Sequence, residues 1–381
     1  RNGLKAQSRP RTGLIMWCNT GREEAMFDYN WTLKDATFTK DKGTVFSCFA
    51  CGGGSTMGYK LAGFDVIGCN EIDPKMADCY KANHNPKYCF VEQIQTFKDR
   101  DDLPDELYNL DILDGSPPCS SFSMAGNREK DWGKDKKFRE GQAEQVLDTL
   151  FFDFIELGKK LQPKVIVAEN VKGLILGNAQ RYVDRILTAF DDAGYFVDFT
   201  LLDSSKMGVP QKRERVFFCA VRKDIYCGSF SDLFGTRPVI DLGFTENPVL
   251  FGCVSDTDGK CLTDLDHSRW EQRIETDSDF GDITERIEGK NRCFSDVFHK
   301  SGSVARTITS SSNMVNFDTG LHLSDRCLCK IGTYPQDYNF MKCNPQYLIG
   351  MSVPPVMTAQ VATRIYDQWL EPINAAEGRK A

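Results

Sequence analysis

Short apolar runs alternate with helical patterns over residues 44–222, and this order predicts an α/β fold with a doubly wound, mostly parallel sheet. The first run, 44–50, leads directly into the glycines 52–54, and a helical pattern follows at 55–62. A strand, a glycine turn and a helix in this order are typical of the cofactor-binding start of such a sheet. Further strands are predicted at 65–69, 88–91, 110–113, 165–168, 195–201 and 217–221. Further helices are predicted at 74–83, 138–161, 183–193 and 356–370.

The pattern changes on both sides of this block. Residues 1–43 are polar with isolated aromatics and form an N-terminal extension without a motif. From 223 to 303 the helical periodicity is lost and Gly, Asp and Ser are frequent, which predicts a smaller inserted domain. Residues 304–381 then return to the first domain, with a C-terminal helix.

Composition narrows the class of protein. The chain has 381 residues, a net charge of −7 and no apolar run near the roughly 20 residues of a membrane span. The acidic balance argues against a surface that is basic everywhere, but not against a local basic cleft. The 15 cysteines form no small-domain framework, which indicates reduced thiols in a cytosol. Cys48 and Cys51 have the spacing of a redox or zinc motif, but no second pair accompanies them.

The stretch from Asp111 to Phe122 places a cysteine at the end of a predicted parallel strand. Gly115 and Ser116 end the apolar run, and Pro117-Pro118 stiffens the backbone just before Cys119. Open α/β sheets bind ligands at the carboxyl ends of their strands, so Cys119 is a candidate nucleophile. A buried structural cysteine is the alternative, because free cysteines usually behave as small core residues.

Two acids follow other predicted strands. Glu71 comes about 20 residues after the glycines, where a carboxylate can bind ribose hydroxyls. Glu169 and Asn170 end the 165–168 strand, near the level of Cys119. The alternative for Glu71 is a solvated loop carboxylate, and the alternative for Glu169 is a loop acid that caps the next element.

Basic residues lie in two places. Arg213 and Arg215 are two residues apart, so on a strand their side chains leave one face. The run 126–139 is rich in Lys, Arg and Gly. It is either a phosphate-contacting loop or a solvated charged loop.

Taken in order, these motifs resemble those of the bacterial-type DNA cytosine-5 methyltransferases, over residues 44–221 and 304–370. The matching segments are the glycine turn at 49–54, Glu71, Ser116-Pro-Pro-Cys119, 169–171, Gln211-x-Arg213-x-Arg215-x-Phe217, Leu323-Ser-x-Arg326, Tyr334–Tyr338 and Gly350-x-Ser352-Val353. Ser47 stands where the family usually has aspartate, and Cys51 where it usually has glycine. The family pattern is also broken at Ser120, Met351 and Gln93.

The resemblance implies a class I, Rossmann-like fold that binds S-adenosylmethionine, with 223–303 as a smaller target-recognition domain. It implies catalytic roles for Cys119, Glu169, Arg213 and Arg215. The implied cofactor-binding residues are Phe49, Ala50, Gly52, Gly53, Gly54, Glu71, Ile72, Gln93, Pro117, Ser352 and Val353. The implied substrate-binding residues are Ser120, Ser123, Asn170, Gln211 and Arg306. No metal is implied.

The implied chemistry is methylation of a flipped-out cytosine in double-stranded DNA. Addition of the Cys119 thiolate to carbon 6 makes carbon 5 able to attack a methyl sulfonium. The resemblance implies either a restriction–modification methylase, with a cognate restriction endonuclease as partner, or an orphan methylase without one. The expected location is the cytoplasm, at the nucleoid of a prokaryote. Methylation of tRNA cytosine on the same scaffold and non-catalytic nucleic-acid binding remain open. The long insert favours DNA, because sequence readout needs a dedicated domain.

Overall fold

The computed structural model describes residues 27–118, 149–176, 180–229, 239–292 and 296–378, together with two short strands at 135–136 and 145–146. None of the helices in these ranges is long and apolar enough to cross a membrane.

The described part of the chain is built around a seven-stranded sheet with the order β3-β2-β1-β4-β7-β9-β8. Its strands are β1 (Thr44–Cys48), β2 (Asp65–Asn70), β3 (Tyr88–Phe90), β4 (Ile112–Gly115), β7 (Val165–Val171), β8 (Tyr195–Asp203) and β9 (Glu214–Arg222). The sheet is parallel except for β9, which runs antiparallel to both neighbours. The predicted mostly parallel α/β fold is therefore confirmed. The strand order reverses between β1 and β4, where such sheets bind ligands.

Both faces of the sheet are covered by helices. Phe46, Leu113 and Ile166 point into one apolar core, and the preceding residue of each strand points into the other. This alternation explains why the strands read as continuous apolar runs. The helices of this domain are α1 (Gly54–Leu61), α2 (Pro74–His84), α3 (Ile94–Lys98), α4 (Leu150–Leu161), α5 (Gln180–Asp192), α6 (Lys223–Ser229), α9 (Asp325–Ile331), α10 (Pro345–Met351), α11 (Pro355–Ile365) and α12 (Glu371–Glu377).

The predicted helix at 138–161 is shorter in the structure. Among its described residues, α4 is helical, whereas residues 145–146 form a strand, β6 (Gln145–Val146), paired with β5 (Asp135–Lys136). The apolar residues of α4 carry the helical period, whereas the polar residues before it carry no packing signal.

A smaller part of the structure contains α7 (Asp264–Glu271), α8 (Phe280–Glu288) and a three-stranded sheet of β10 (Asp296–His299), β11 (Asn313–Asn316) and β12 (Leu321–His322). An apolar cluster that includes Phe280, Phe298 and Phe317 forms its core. Its strands lie on both sides of residue 303, so this sheet crosses the predicted domain boundary. Ile240 and Leu242, from the predicted insert, pack instead in the core of the large domain.

The described N-terminal residues are part of the large domain. The ring nitrogen of Trp31 donates to the carbonyl of Thr333 at 3.1 Å. The carboxylate of Asp337 accepts the backbone N–H groups of Leu33 and Lys34 at 2.7 and 3.0 Å. This segment therefore holds the region that follows α9.

Candidate active site

The functional residues expected from the sequence follow three neighbouring strands, β1, β4 and β7. Cys48 pairs with Gly115, and Gly115 pairs with Ala168, so these three residues lie at one level of the sheet, and β7 continues to Val171. The glycine turn follows β1, the two prolines follow β4, and Glu169 is the next residue of β7. These groups therefore meet at one edge of the sheet.

The glycine turn has an unusual backbone. Phe49, Cys51 and Gly53 have φ angles of 53°, 48° and 88°. Glycine adopts such positive angles readily, whereas other residues do so at a cost of about 1–2 kcal/mol. Cys51 thus occupies the left-handed conformation at a position where a glycine was expected.

The glycines in this turn allow close packing of the protein on itself. A Cβ atom on Gly54 would lie 2.7 Å from the carbonyl oxygen of Val353 and 2.8 Å from Cβ of Ser352. A Cβ atom on Gly52 would meet the Leu348 side chain at 2.6 Å, and one on Gly53 would collide with the His84 ring. The atoms that fill the space of the missing side chains belong to α2 and to the C-terminal residues 348–353. The predicted Ser352 and Val353 do lie beside the turn.

Glu71 is joined to the same turn. Its buried carboxylate accepts the backbone N–H of Cys51 at 2.7 Å and that of Asp73 at 2.8 Å. Ala50 is buried beside it, while Phe49 and Ile72 are half-exposed. The half-buried Gln93 lies further away in the chain, immediately before α3.

Asn170 holds the segment that leads to the candidate nucleophile. Its side-chain N–H donates to the carbonyl of Pro117 at 3.0 Å, and its Oδ1 accepts the backbone N–H of Val171 at 2.9 Å. Asn170 and Pro117 are both buried. The side chain thus orients the segment that leads to Cys119. Outside the described residues lie Cys119, Ser120, Ser123 and most of 126–139.

Glu169 and Arg215 form an ion pair across adjacent strands. Glu169 Oε1 lies 2.8 Å from Arg215 Nε. The N–H is not directed at this oxygen, so within the described part of the chain Oε1 lacks an aligned hydrogen bond. Burial lowers the pKa of Arg215, and the carboxylate of Glu169 acts in the opposite direction. The pair is therefore a buried charged group with hydrogen-bonding capacity for a ligand.

Arg213 and Gln211 have a different environment. Arg213 precedes β9, is 2% exposed, and donates to the carbonyls of Ile308 and Gly350 at 3.2 and 2.8 Å. The Gln211 side chain accepts the N–H of Ile308 at 3.1 Å. These two side chains join the arginine motif to the C-terminal segment. The exposed Arg306 lies 3.4 Å from the Ser278 carbonyl, at the smaller part of the structure.

Two further polar groups were missed by sequence reasoning. The Tyr338 hydroxyl donates to the carbonyl of Gly52. Asp114, on β4, is buried and accepts hydrogen bonds from Ser47 and Ser55, each at 2.8 Å. The signal for Asp114 was available, because it is a charged residue inside an otherwise apolar strand.

Comparison with known proteins gives a family. A model of the family described as C-5 cytosine-specific DNA methylase matches residues 43–367. Type II methyltransferase M.NgoPII of Neisseria gonorrhoeae is 36% identical over 181 residues, 48% of each chain. Type II methyltransferase M1.HphI of Haemophilus parahaemolyticus is 27% identical over 347 residues, 84% of this chain and 86% of the relative. The chain spans 48% of the length of M.NgoPII and 49% of that of M.FnuDI from Fusobacterium nucleatum.

A solved structure is similar over most of the chain. A mutant of Spodoptera frugiperda DNMT2 matches with a TM-score of 0.57 and 16% identity, covering 85% of this chain and 99% of that one. At this identity the likeness concerns the fold alone.

Proposed function

The chain belongs to the family of C-5 cytosine-specific DNA methylases, and we propose on this premise that it methylates carbon 5 of cytosine in double-stranded DNA. The methyl donor in this proposal is S-adenosylmethionine. The observation that carries it is the meeting, at one sheet edge, of the glycine turn, the prolines before Cys119, and Glu169. The cofactor turn, the segment that leads to Cys119 and Glu169 thus lie on three adjacent strands or directly after them.

The residues around the glycine turn fit a nucleoside with a sulfonium group. Phe49 and Ile72 are half-exposed and offer apolar surfaces to an adenine ring. A carboxylate can accept about four hydrogen bonds, so Glu71 can bind ribose hydroxyls while it holds the turn. When bound, S-adenosylmethionine supplies an electrophilic methyl group.

The protein side chains account for activation of the base. The Cys119 thiolate forms a bond to carbon 6 of cytosine, and the electron pair of the 5,6 double bond becomes available at carbon 5. Glu169 shares a proton with the ring nitrogen that gains charge, which neutralises that charge, and Arg215 holds Glu169 in place. After carbon 5 has gained the methyl group, a base removes its proton. The thiolate then leaves, and the double bond re-forms.

Arg213, which the resemblance placed among the catalytic residues, has a different role in this mechanism. Its guanidinium is bound to two backbone carbonyls of the C-terminal segment. We propose that Arg213 acts by keeping that segment against the catalytic domain, and that Arg215 alone faces the substrate.

Methyl transfer is tested directly with tritiated S-adenosylmethionine and two acceptors, duplex DNA and tRNA. Label at carbon 5 of DNA cytosine, located by bisulfite sequencing, is the expected result. Label in tRNA alone would assign the enzyme to RNA. Cofactor binding without transfer to either acceptor would indicate a non-catalytic nucleic-acid-binding protein.

We also propose that sequence specificity lies in the smaller part of the structure, which is formed by α7, α8, β10, β11 and β12. Arg273 stacks on Trp270 at 3.6 Å, which restricts the guanidinium near the surface. Arginine, asparagine and glutamine can read base edges in the major groove. Candidate contacts are Arg269, Gln272, Arg273, Asn291 and Arg292.

Exchange of this lobe with that of a relative should change the methylated sequence and retain Cys119 chemistry. Neutralising Lys134, Lys136 and Lys137 should instead lower affinity for all DNA sequences and reduce the salt dependence. An unchanged target after the exchange would place specificity in the catalytic domain. The Type II naming of the relatives supports a restriction–modification role, with a cognate endonuclease as partner and the prokaryotic nucleoid as location.

A further inference from the structure

A buried carboxylate lies between the cofactor turn and the segment that leads to Cys119. Asp114 is 4% exposed and precedes Gly115 at the end of β4. Its Oδ2 accepts hydrogen bonds from Ser47 and Ser55, each at 2.8 Å, and its Oδ1 accepts one from Tyr59 at 3.1 Å. Three hydroxyl groups therefore converge on one side chain.

The donors come from both sides of the glycine turn. Ser47 is on β1, directly opposite Asp114 in the strand register. Ser55 and Tyr59 are on α1, which begins at the last glycine of the turn. The carboxylate thus joins β1, α1 and β4 at the point where cofactor and nucleophile must be brought together.

We propose that Asp114 is a positioning residue, which fixes the cofactor-binding turn relative to the loop that carries Cys119. This inference rests on the proposed methyl transfer. Reaction requires the two reacting atoms to lie about 3–3.5 Å apart, and a displacement of about 1 Å can reduce the rate about 100-fold. One side chain bonded to the elements on both sides can maintain such a distance.

The ionised form of Asp114 is unfavourable for folding. Burial raises the pKa of Asp114 to about 6, although the hydroxyls of Ser47, Ser55 and Tyr59 act in the opposite direction. The folded protein therefore binds this proton more tightly than the unfolded chain, and ionisation at neutral pH lowers stability. A charge retained against stability is expected where function requires it.

Other titratable groups face Asp114 from the elements around it. They are Cys48, Tyr59, Tyr80 and Glu169. Burial raises the pKa values of the thiol and of both phenols, so these three groups stay neutral at neutral pH. The same measurements on Glu169→Gln separate any pH dependence that comes from Glu169 from the one that comes from Asp114.

The test uses the full chain with Asp114→Asn, Ser55→Ala, Ser47→Asp and the double variant Ser47→Asp/Asp114→Ser. S-adenosylmethionine affinity is measured by calorimetry, methyl transfer by single turnover, and stability by thermal unfolding.

Asp114→Asn should lower affinity and rate about tenfold each, the effect of losing one charge-assisted hydrogen bond. Its melting temperature at pH 7 should equal or exceed that of the wild type. Ser55→Ala should show a smaller loss of the same kind.

The double variant exchanges the carboxylate and the hydroxyl between the paired positions. Ser47 Oγ and Ser55 Oγ lie 3.5 Å apart, so a carboxylate at position 47 can still reach the helix. We expect the double variant to recover most of the function that Ser47→Asp and Asp114→Asn lose. Wild-type affinity for S-adenosylmethionine should also fall as the pH drops through about 6, a change that Asp114→Asn should not show.

The outcomes separate this inference from the proposed function. A wild-type protein that neither binds S-adenosylmethionine nor transfers methyl groups would overturn the proposed function first. With an active wild type, normal affinity and rate in Asp114→Asn would overturn only the role of Asp114. A lower melting temperature that accounts for the whole functional loss would make Asp114 structural. Should the double variant not fold, the pH profiles of wild type and Asp114→Asn decide.

Discussion

Asn170→Asp tests how the catalytic loop is held. The substitution preserves size and keeps Oδ1 as an acceptor for the N–H of Val171. It removes the N–H that donates to the carbonyl of Pro117 at 3.0 Å and places an oxygen there. The two groups are buried, so water cannot replace the lost donor.

The magnitude follows from this single bond. A buried carbonyl left without a donor costs about 1–3 kcal/mol, and the facing carboxylate adds repulsion, so we expect the free energy of unfolding to fall by about 2–3 kcal/mol at pH 8. Acidification to pH 5 should restore part of the lost free energy of unfolding, because the protonated carboxyl at position 170 can again donate to the Pro117 carbonyl. The single-turnover rate should fall about 10–100-fold, since Pro117 lies two residues before Cys119.

The assay is single-turnover methyl transfer at saturating S-adenosylmethionine, with urea unfolding and calorimetry of cofactor binding. Asn83→Asp is the matched control, because Asn83 donates to the carbonyl of Asn339 and accepts its N–H, both at 2.8 Å. It undergoes the same chemical exchange on α2 and should keep the wild-type rate. An equal loss of rate in both variants would refute the reasoning, as would a destabilised Asn170→Asp with normal turnover.

Other changes test the remaining parts of the site. Cys119→Ser should abolish methyl transfer while cofactor binding survives, because a hydroxyl is far less acidic than a thiol; near-normal turnover would exclude the covalent mechanism. Glu71→Ala should weaken S-adenosylmethionine binding in calorimetry by on the order of 1.5–3 kcal/mol per charge-assisted hydrogen bond lost, and unchanged affinity would move the ribose contact elsewhere. Cys51→Gly should raise the free energy of unfolding by about 0.5–1 kcal/mol through release of the positive φ, and a lower melting temperature would contradict this account. Because the pKa of Asp114 is raised to about 6, its contribution to stability is present at low pH and lost as the pH rises through that value. The wild type should therefore lose stability relative to Asp114→Asn between about pH 4 and 6 in urea unfolding, and parallel pH profiles would contradict the shift.

The sequence predicted the sheet and the order of its motifs well. The strands at 44–50, 65–69 and 165–168 are found within three residues of their predicted ends, because buried parallel strands are continuous apolar runs bounded by polar residues. The placement of Glu71 directly after β2 followed from the same reasoning, whereas Glu169, predicted to follow its strand, lies within β7.

Hydrogen bonds between residues far apart in the chain could not be predicted from local sequence patterns. Gln211 bonds to Ile308, and Arg213 bonds to Gly350, 137 residues away. Local patterns carry no information on contacts of this kind, so both residues were predicted to face the substrate. The hydrogen bonds to Asp114 were not predicted for the same reason, because their donors lie on β1 and α1.

The glycine turn packs against residues 338–353, and this contact affects the order in which the protein can fold during synthesis. Gly52 and its hydrogen-bond partner Tyr338 are separated by 286 residues. At about 5–20 residues per second, a ribosome needs roughly 15–60 s to make the intervening chain. During that interval the turn lacks the tyrosine and the serine–valine pair that pack against it. The nascent chain must therefore extend past Tyr338 and the Ser352–Val353 pair before the glycine turn can pack against these residues.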